Sequence, residues 1–265
     1  MIGIDMTGQV TLVTGAGGGI GGGIADVFAK AGAKVYVADL ELEDARTKAR
    51  QLNGEGLLAE AVGLDVTKKD DIYALIDRIV QEEGKIDHLI NCAGIAYNKP
   101  YMESTDDEFR KTLEVNLIGV NNCCQAVLKQ MIPRKEGKIV NILSASSRQG
   151  SDFFTHYSSS KFGALGLTQG VGLAAARYNI NVNGICPGII ETNIGEKQGG
   201  GLTQQMARYS GKPEEQMRES IRKTIPLRRF QTGVDIGHMA LFLCSDLAKN
   251  ITCQAINVCG GMRMN

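Results

Sequence analysis

Tyr157 and Lys161 are the two residues of this 265-residue sequence best suited to proton transfer. They are four positions apart in a segment of helical period, so on a helix both side chains lie on one face. A phenol with a pKa of about 10 is a poor base at neutral pH, but a neighbouring ammonium favours the phenolate and lowers that pKa. The pair could move a proton to or from a substrate oxygen, although this spacing also arises by chance.

A serine upstream gives this pair a partner. Ser144 directly follows the strand-like run K-I-V-N-I-L at 138–143. An open parallel sheet binds its ligand at the carboxyl ends of its strands, and a hydroxyl there could hydrogen-bond a substrate carbonyl. The three residues together therefore favour catalysis over chance spacing.

A glycine-rich turn near the start of the chain is the candidate dinucleotide site. A strand-like run leads into T-G-A-G-G-G-I-G at 14–21, and a helical pattern begins near Ile20. Gly15, Gly19 and Gly21 would allow a tight turn in which backbone N–H groups approach a pyrophosphate at the helix N-terminus. A merely flexible loop would also carry glycines, but the position between a strand and a helix favours nucleotide binding.

Asp39 ends the next strand-like run, 18 residues after Gly21. A carboxylate at this position can accept hydrogen bonds from the adenosine ribose diol, and it would repel a 2′-phosphate. Leu40 and Glu41 follow, so no Arg or Lys is present there to bind that phosphate. The sequence therefore predicts NAD rather than NADP as cofactor. The alternative is that Asp39 is an ordinary surface carboxylate with no role in cofactor binding.

Short β-branched runs alternate with helical patterns along the whole chain. The predicted strands are Val10–Thr14, Lys34–Asp39, Leu58–Gly63, His88–Asn91, Lys138–Leu143, Asn181–Cys186 and Gln254–Val258. The predicted helices are Ile20–Ala31, Glu43–Leu52, Lys69–Glu83, Asp106–Arg134, Tyr157–Arg177 and Val234–Ser245. This alternation predicts an α/β fold: a single doubly wound Rossmann domain over 1–265, with a seven-stranded, mainly parallel sheet and helices on both faces.

The segment 195–226 interrupts this alternation. It has no strand pattern, it contains G-G-G at 199–201, and it carries short helical patterns around Leu202–Tyr209 and Pro213–Lys223. An insertion hinged by glycine after the sixth strand could be a substrate lid. The alternative is that this segment is a mobile surface loop with no role in substrate binding.

Composition argues against several other classes of protein. The 29 basic and 29 acidic side chains cancel, which leaves no electrostatic footprint for nucleic acid or an anionic membrane. No apolar run reaches the roughly 18 residues of a membrane helix, and no signal-peptide pattern is present. The seven cysteines are scattered, and only three histidines occur. We therefore expect a cytoplasmic protein with a small-molecule substrate, no metal, no nucleic-acid partner and no membrane association.

In their order and spacing these motifs resemble the short-chain dehydrogenases/reductases over essentially the whole chain. The resemblance also rests on L-D-V at 64–66, N-C-A-G at 91–94, E-V-N-L at 114–117, Y-S-S-S-K at 157–161 and P-G-I-I-E-T at 187–192. The sequence departs from the family pattern at Cys92, where a second Asn is usual, and at Ala174 and Asn181, where Glu and Arg are frequent.

The resemblance implies catalytic roles for four residues. Tyr157 would be the general acid/base, and Ser144 would orient and polarise the carbonyl. Lys161 would lower the pKa of Tyr157 and bind the nicotinamide ribose, and Asn116 would hold a water in the proton relay. The implied cofactor contacts are Gly15, Gly19, Ile20, Gly21, Asp39, Leu40, Asp65, Val66, Asn91, Ala93, Gly94, Tyr157, Lys161, Pro187, Gly188, Ile190 and Thr192.

The implied reaction is the NAD-dependent interconversion of a secondary alcohol and a ketone. Candidate substrate contacts are Ser144, Ser146, Gln149 and Tyr157, while Phe153 and Phe154 would either line the pocket or serve packing. The C-terminal third resembles acetoin reductases and sorbitol-type polyol dehydrogenases, which implies a small diol, polyol or hydroxyketone. A hydroxysteroid such as a bile acid is the alternative substrate, and a non-catalytic NAD(H) sensor is the alternative of another class. A homotetramer or homodimer is implied as well.

Overall fold

The computed structural model describes residues 3–190 and 201–264. These residues form a seven-stranded sheet in the order β3-β2-β1-β4-β5-β6-β7, and every neighbouring pair of strands is parallel. The strands are β1 Val10–Thr14, β2 Lys34–Asp39, β3 Ala59–Gly63, β4 His88–Asn91, β5 Gly137–Ile142, β6 Ile180–Pro187 and β7 Ala255–Val258. The predicted doubly wound parallel sheet is therefore confirmed, and each strand boundary lies within one residue of its prediction.

Helices cover both faces of this sheet. They are α1 Gly19–Lys30, α2 Leu42–Gly54, α3 Lys69–Glu83, α4 Asp106–Leu113, α5 Gly119–Arg134, α6 Thr155–Ala176, α7 Leu202–Ser210, α8 Glu214–Thr224 and α9 Gly233–Cys244. One apolar layer includes Ile24, Phe28 and Leu243 from α1 and α9. The opposite layer includes Ile79 and Met131 from α3 and α5. Burial on both faces explains why the central strands are almost continuously apolar.

The strand order places the ligand crevice. The chain runs outward from β1 to β3 and then crosses back to β4, on the other side of β1. Helices after β1 and after β4 consequently lie on opposite faces, and a gap opens above the carboxyl ends of these two strands. The glycine-rich turn follows β1, so it borders this gap.

The predicted helix Asp106–Arg134 contains a π-helical turn. Between α4 and α5 the residues Glu114–Ile118 form this turn, and the N–H of Gly119 donates to the carbonyl of Glu114. Such turns insert one residue into a helix and are frequent at functional sites. Asn116 lies in its middle, and a pattern of helical period cannot distinguish such a turn from a regular helix.

The helices α7 and α8 pack against each other through Ala207, Met217 and Ile221. They correspond to the two helical patterns predicted in the segment 195–226, of which residues 195–200 lie outside the described residues. Among the helices that the structure describes, none is long and apolar enough to span a membrane.

Candidate active site

Most of the predicted site residues lie at one edge of the sheet. The glycine-rich turn follows β1, Asp39 ends β2, Asn91 ends β4 and Pro187 ends β6. Ser144 lies just after β5 and begins a short 3-10 turn over Ala145–Ser147. Because the strands are parallel, these carboxyl ends all lie at the same edge of the sheet, on either side of the crevice between β1 and β4.

The glycine-rich turn presents backbone donors at the start of α1. The residue before the helix, Gly18, is extended and provides no side-chain cap, and the first bond within the helix runs from Gly22 N to Gly18 O at 2.8 Å. The earlier N–H groups have no partner within the helix. Gly15 and Gly19 adopt positive φ angles of 65° and 54°. A helix start of this kind fits a pyrophosphate, which needs several N–H donors and no intervening side chain.

Gly21→Ala should reduce NADH affinity at least tenfold, because a Cβ at Gly21 would lie 2.2 Å from the carbonyl oxygen of Gly15. Relieving this clash requires the turn to open. Fluorescence titration with NADH measures the effect, and thermal unfolding checks that the variant is folded. Gly22→Ala is the matched control, since its Cβ would lie nearest the flexible end of Lys48, at 3.3 Å, and in ordinary contact with the carbonyl oxygen of Ala16, at 3.6 Å. Equal affinities in the two variants would contradict this assignment of the turn.

Asp39 is held at the crevice by the backbone. Its Oδ2 accepts the N–H of Gly17 at 2.9 Å, and its Oδ1 accepts the N–H of Glu41 at 3.1 Å. The side chain of Leu40 beside it is exposed, and within the described residues Asp39 forms no ion pair. The carboxylate is thus oriented, negatively charged and able to accept further hydrogen bonds, as a ribose diol requires.

Thr14 joins the two sides of the crevice. Its Oγ1 accepts the N–H groups of Cys92 and Ala93, at 3.1 and 3.2 Å, and so ties the loop after β4 to the end of β1. At the end of β4, Asn91 donates from Nδ2 to Asn141 Oδ1 at 2.8 Å. The Oδ1 of Asn91 is buried without a partner among the described residues. The glycine-rich sequence motif includes Thr14, but its hydrogen bond to Cys92 joins residues that are 78 positions apart in the chain.

Tyr157, Lys161 and Ser144 form one cluster. Tyr157 and Lys161 lie on successive turns of α6, with Lys161 Nζ 5.6 Å from the centroid of the Tyr157 ring. Nζ donates to the carbonyl of Ile142 at 2.7 Å. The Ser144 side chain hydrogen-bonds to Tyr157 and also accepts the N–H of Ser146, at 3.0 Å. A carbonyl oxygen placed between the two hydroxyls could receive hydrogen bonds from both.

Burial shifts the pKa values of Tyr157 and Lys161 in opposite directions. It raises the pKa of Tyr157 to about 12, against the opposing effect of the hydrogen bond to Ser144. It lowers the pKa of Lys161 to about 8. At neutral pH the lysine therefore carries its charge and the phenol keeps its proton, so Tyr157 is ready to donate. The expectation that Lys161 lowers the pKa of Tyr157 during catalysis stays a prediction.

Asn116 is fully buried, and its side chain is bound on both sides. Its Oδ1 accepts the N–H of Ile95 at 2.8 Å, while Nδ2 donates to the carbonyl of Ile95 at 2.9 Å and to Ser160 Oγ at 3.1 Å. A Cβ on Gly94 would lie 3.3 Å from Asn116 Oδ1 and 3.8 Å from Lys161 Nζ. Gly94 thus leaves room between the two polar groups, and the relay water stays a prediction.

The other candidate cofactor residues lie around this cluster. Asp65 follows β3 and accepts both the N–H and the hydroxyl of Thr67, while the buried Val66 packs beside Gly119. Gly188 donates to the carbonyl of Val258 at 3.0 Å. Ile20 is partly buried near the start of α1, Pro187 is buried at the end of β6, and Ile190 forms an isolated bridge with Gln231. Thr192 lies outside the described residues.

Aromatic side chains lie beside the cluster. The ring of Phe154 meets that of Tyr157 edge-on at 6.1 Å, and Phe153 meets Tyr209 of α7 at 5.3 Å. The hydroxyl of Tyr209 also donates to Glu103 Oε2 at 2.5 Å. These contacts bring α7 against two loops of the crevice. Gln149 is exposed and takes part in none of them, so its role toward a substrate stays a prediction.

Each departure from the family pattern has a definite environment. Cys92 is near Lys161, and burial raises the pKa of its thiol to about 12, so it remains protonated. Asn181 accepts from Lys138 Nζ at 2.6 Å and donates to the carbonyls of Lys249 and Ile251. Ala174 is exposed on α6. Within the described residues, no group of three or more His, Cys, Asp or Glu is arranged to hold a metal ion.

The chain is similar to known proteins over nearly its full length. The sequence profile of the short chain dehydrogenase family matches residues 9–201. Galactitol 2-dehydrogenase of Agrobacterium fabrum is 36% identical over 97% of this chain and 98% of its own.

Two solved structures share the fold and differ in their cofactor. NAD⁺-bound xylitol dehydrogenase superposes with a TM-score of 0.90 at 29% identity, over 97% of this chain and 99% of its own. An actinorhodin polyketide ketoreductase with NADPH gives 0.91 at 34% identity, over 96% of this chain and 97% of its own.

Proposed function

The chain belongs to the short-chain dehydrogenase family, and from that premise we propose that it is an NAD-dependent dehydrogenase of small diols, polyols or hydroxyketones. The reaction interconverts a secondary alcohol and a ketone. The observation that carries the proposal is the cluster of Tyr157, Ser144 and Lys161, which lies in the same crevice as the ribose-binding candidate Asp39.

The residues present fit a nicotinamide dinucleotide. The start of α1 offers backbone donors to the pyrophosphate, and Asp39 offers acceptors to the adenosine ribose. Lys161 would bind the nicotinamide ribose, and Pro187, Gly188 and the following residues would hold the carboxamide. When bound, the nicotinamide supplies the hydride donor or acceptor.

The side chains of the cluster manage the proton. In reduction, Tyr157 donates its phenolic proton to the carbonyl oxygen, which Ser144 orients by a hydrogen bond. The charge of Lys161 stabilises the phenolate that remains, and a proton from solvent restores the phenol. In oxidation the phenolate takes the alcohol proton by the same route. One ketone, one NADH and one proton thus correspond to one alcohol and one NAD⁺.

Two features support NAD as the cofactor. Asp39 carries a negative charge where a 2′-phosphate would lie, and the acidic Asp44 is next to it, with its Cβ 2.7 Å from the position of a Cβ on Gly17. Placing a phosphate beside these carboxylates would require like charges to be held together. Similar structures include both NAD⁺-bound and NADPH-bound proteins, so the family alone does not favour either cofactor.

The relatives support a polyol or diol as substrate. The galactitol and xylitol dehydrogenases act on sugar alcohols by their names, and both cover nearly the whole chain. We propose further that the segment 195–226 is a substrate lid, since Tyr209 of α7 contacts Phe153, which precedes α6, and Glu103, which precedes α4. Apolar residues such as Met206 and Phe230 beside α8 would also suit a hydroxysteroid.

The test is an NADH absorbance assay of the purified protein. The panel contains galactitol, xylitol, sorbitol, 2,3-butanediol, acetoin and a bile acid, each with NAD(H) and with NADP(H). We expect the fastest turnover on a diol, polyol or hydroxyketone with NAD(H). Turnover on the steroid alone would overturn the substrate class. An inactive protein that still binds NADH would overturn the enzyme assignment and favour the sensor.

We also propose a cytoplasmic homotetramer or homodimer. Exposed apolar side chains on and beside α6, namely Phe162, Leu173 and Ile118, support an interface between copies. All seven cysteines are unpaired, as is usual in a reducing compartment.

A further inference from the structure

We propose that His156 is a positioning residue that holds the loop after β4 against α6 and so fixes one wall of the substrate cleft. His156 immediately precedes the acid/base candidate Tyr157 in the first turn of α6. Its effect on substrate rests on the proposed function, whereas the tether itself can be tested without any turnover.

The imidazole lies between α6 and this loop. Only 1% of His156 is exposed. Its Nε2 is 3.2 Å from the backbone nitrogen of Tyr97, and its Nδ1 is 3.4 Å from Ser104 Oγ. The Tyr97 ring packs on the imidazole with 5.7 Å between centroids. One side chain therefore contacts both the middle of the loop and Ser104, which follows the 3-10 turn Tyr101–Glu103.

The hydrogen bonds determine the form of the ring. The backbone N–H of Tyr97 can only donate, so Nε2 must carry a lone pair, and the ring proton is on Nδ1, facing the hydroxyl of Ser104. Burial lowers the pKa of His156, which favours this neutral form. The nearest charged groups are Glu108 and Lys99, which pair with each other at 2.6 Å.

Other attachments of the loop lie on both sides of Tyr97: Thr14 binds Cys92 and Ala93, and Lys99 pairs with Glu108. Residues 92–100 between β4 and the 3-10 turn Tyr101–Glu103 have no regular secondary structure. Asn116 binds both backbone groups of Ile95, and the N–H of Tyr101 donates to the carbonyl of Asp152 at 2.8 Å. His156 binds the backbone of Tyr97 between these points. Without it, the middle of the loop could move relative to Tyr157.

The experiment compares His156→Leu with His156→Gln. Leucine fills a similar volume without hydrogen bonds, whereas the amide oxygen of glutamine can accept the N–H of Tyr97. Hydrogen exchange of residues 95–104 is measured by mass spectrometry. Steady-state KM and kcat are measured with the fastest alcohol of the panel, and NADH affinity is measured by fluorescence. His238→Leu, at an exposed position on α9, is the control.

We expect His156→Leu to speed exchange in 95–104 and to raise the substrate KM about 5- to 30-fold, the effect of losing one or two hydrogen bonds. NADH affinity should stay within about twofold, because the contacts of the α1 turn are untouched. His156→Gln should restore most of both properties, and His238→Leu should change neither.

A purely structural role predicts a different result. If His156→Leu lowered the melting temperature but left exchange and KM at wild-type values, the proposal would be wrong. It would also be wrong if folded His156→Gln exchanged as fast as His156→Leu. Should no compound of the panel react, the proposed function fails separately, and the exchange of residues 95–104 still decides whether His156 tethers the loop.

Discussion

Replacing Tyr157 by Phe should lower kcat/KM by about 10²- to 10⁴-fold, the usual contribution of a positioned proton donor. The phenyl ring keeps the edge-on contact with Phe154, so the variant should remain folded. Only the hydroxyl that hydrogen-bonds with Ser144 is lost. Because this substitution removes no phosphate or adenosine contact, NADH affinity should stay within about threefold of wild type.

Tyr178→Phe is the matched control for this experiment. Tyr178 lies just beyond the C-terminal end of α6 and packs against the apolar layer that includes residues of α3 and α5. Its hydroxyl is therefore far from Tyr157, in the first turn of the same helix. Turnover of this control should equal wild type. Full turnover by Tyr157→Phe would remove Tyr157 from the mechanism. Loss of NADH binding together with turnover would indicate that the hydroxyl serves cofactor binding instead of proton transfer.

Replacing Asp39 by Ala should weaken NADH binding by about 10- to 100-fold, since hydrogen bonds to charged acceptors contribute about 1.5–3 kcal/mol each. NADPH binding should improve or change little, because the loss of acceptors is offset by the loss of charge repulsion against the 2′-phosphate. The ratio of the two affinities is therefore the quantity to measure, by parallel fluorescence titrations.

Glu43→Ala is the control for the change in net charge. Glu43 belongs to the first turn of α2, and its exposed carboxylate pairs with Arg46. The Glu43→Ala variant should have the same ratio of NADH to NADPH affinity as wild type. Asp39→Asn keeps one side-chain oxygen for the N–H of Gly17 or Glu41, and it separates loss of charge from loosening of the turn. An unchanged ratio in Asp39→Ala would refute the role of Asp39 in cofactor choice.

The two variants separate binding from chemistry. Asp39 lies at the end of β2, and Tyr157 lies on α6, beyond β5. We expect the Asp39 variant to retain kcat at saturating NADH, and the Tyr157 variant to retain cofactor affinity.

Local pattern was sufficient to predict the elements of the fold. Strands such as β1 and β4 are buried along their whole length, so they appear as continuous apolar runs bounded by turn residues. Alternation of such runs with helical patterns leaves a doubly wound parallel sheet as the simple solution. The glycine-rich turn, Asp39 and Ser144 could be assigned to the crevice for the same reason, since each follows a strand.

Only the tertiary structure shows how the crevice is held together. Thr14 bonds to Cys92 and Ala93, 78 and 79 residues away, and Tyr209 reaches Glu103 across 106 residues. Sequence periodicity cannot predict such contacts, because each of them depends on the twist of the sheet and on loop conformations that many residues determine together. The π-helical turn around Asn116 is hidden for a related reason: its neighbours have ordinary helical character.

His156 shows the same division within a single side chain. The sequence places it directly before Tyr157. Its burial, its tautomer and its two partners follow from where the loop after β4 meets α6. Residue types and spacing thus determined the elements, the crevice and the chemistry available there, because these depend on short-range pattern. The orientation of each functional group and the residues that surround it depend on contacts between residues distant in the chain. Only the tertiary structure decided them.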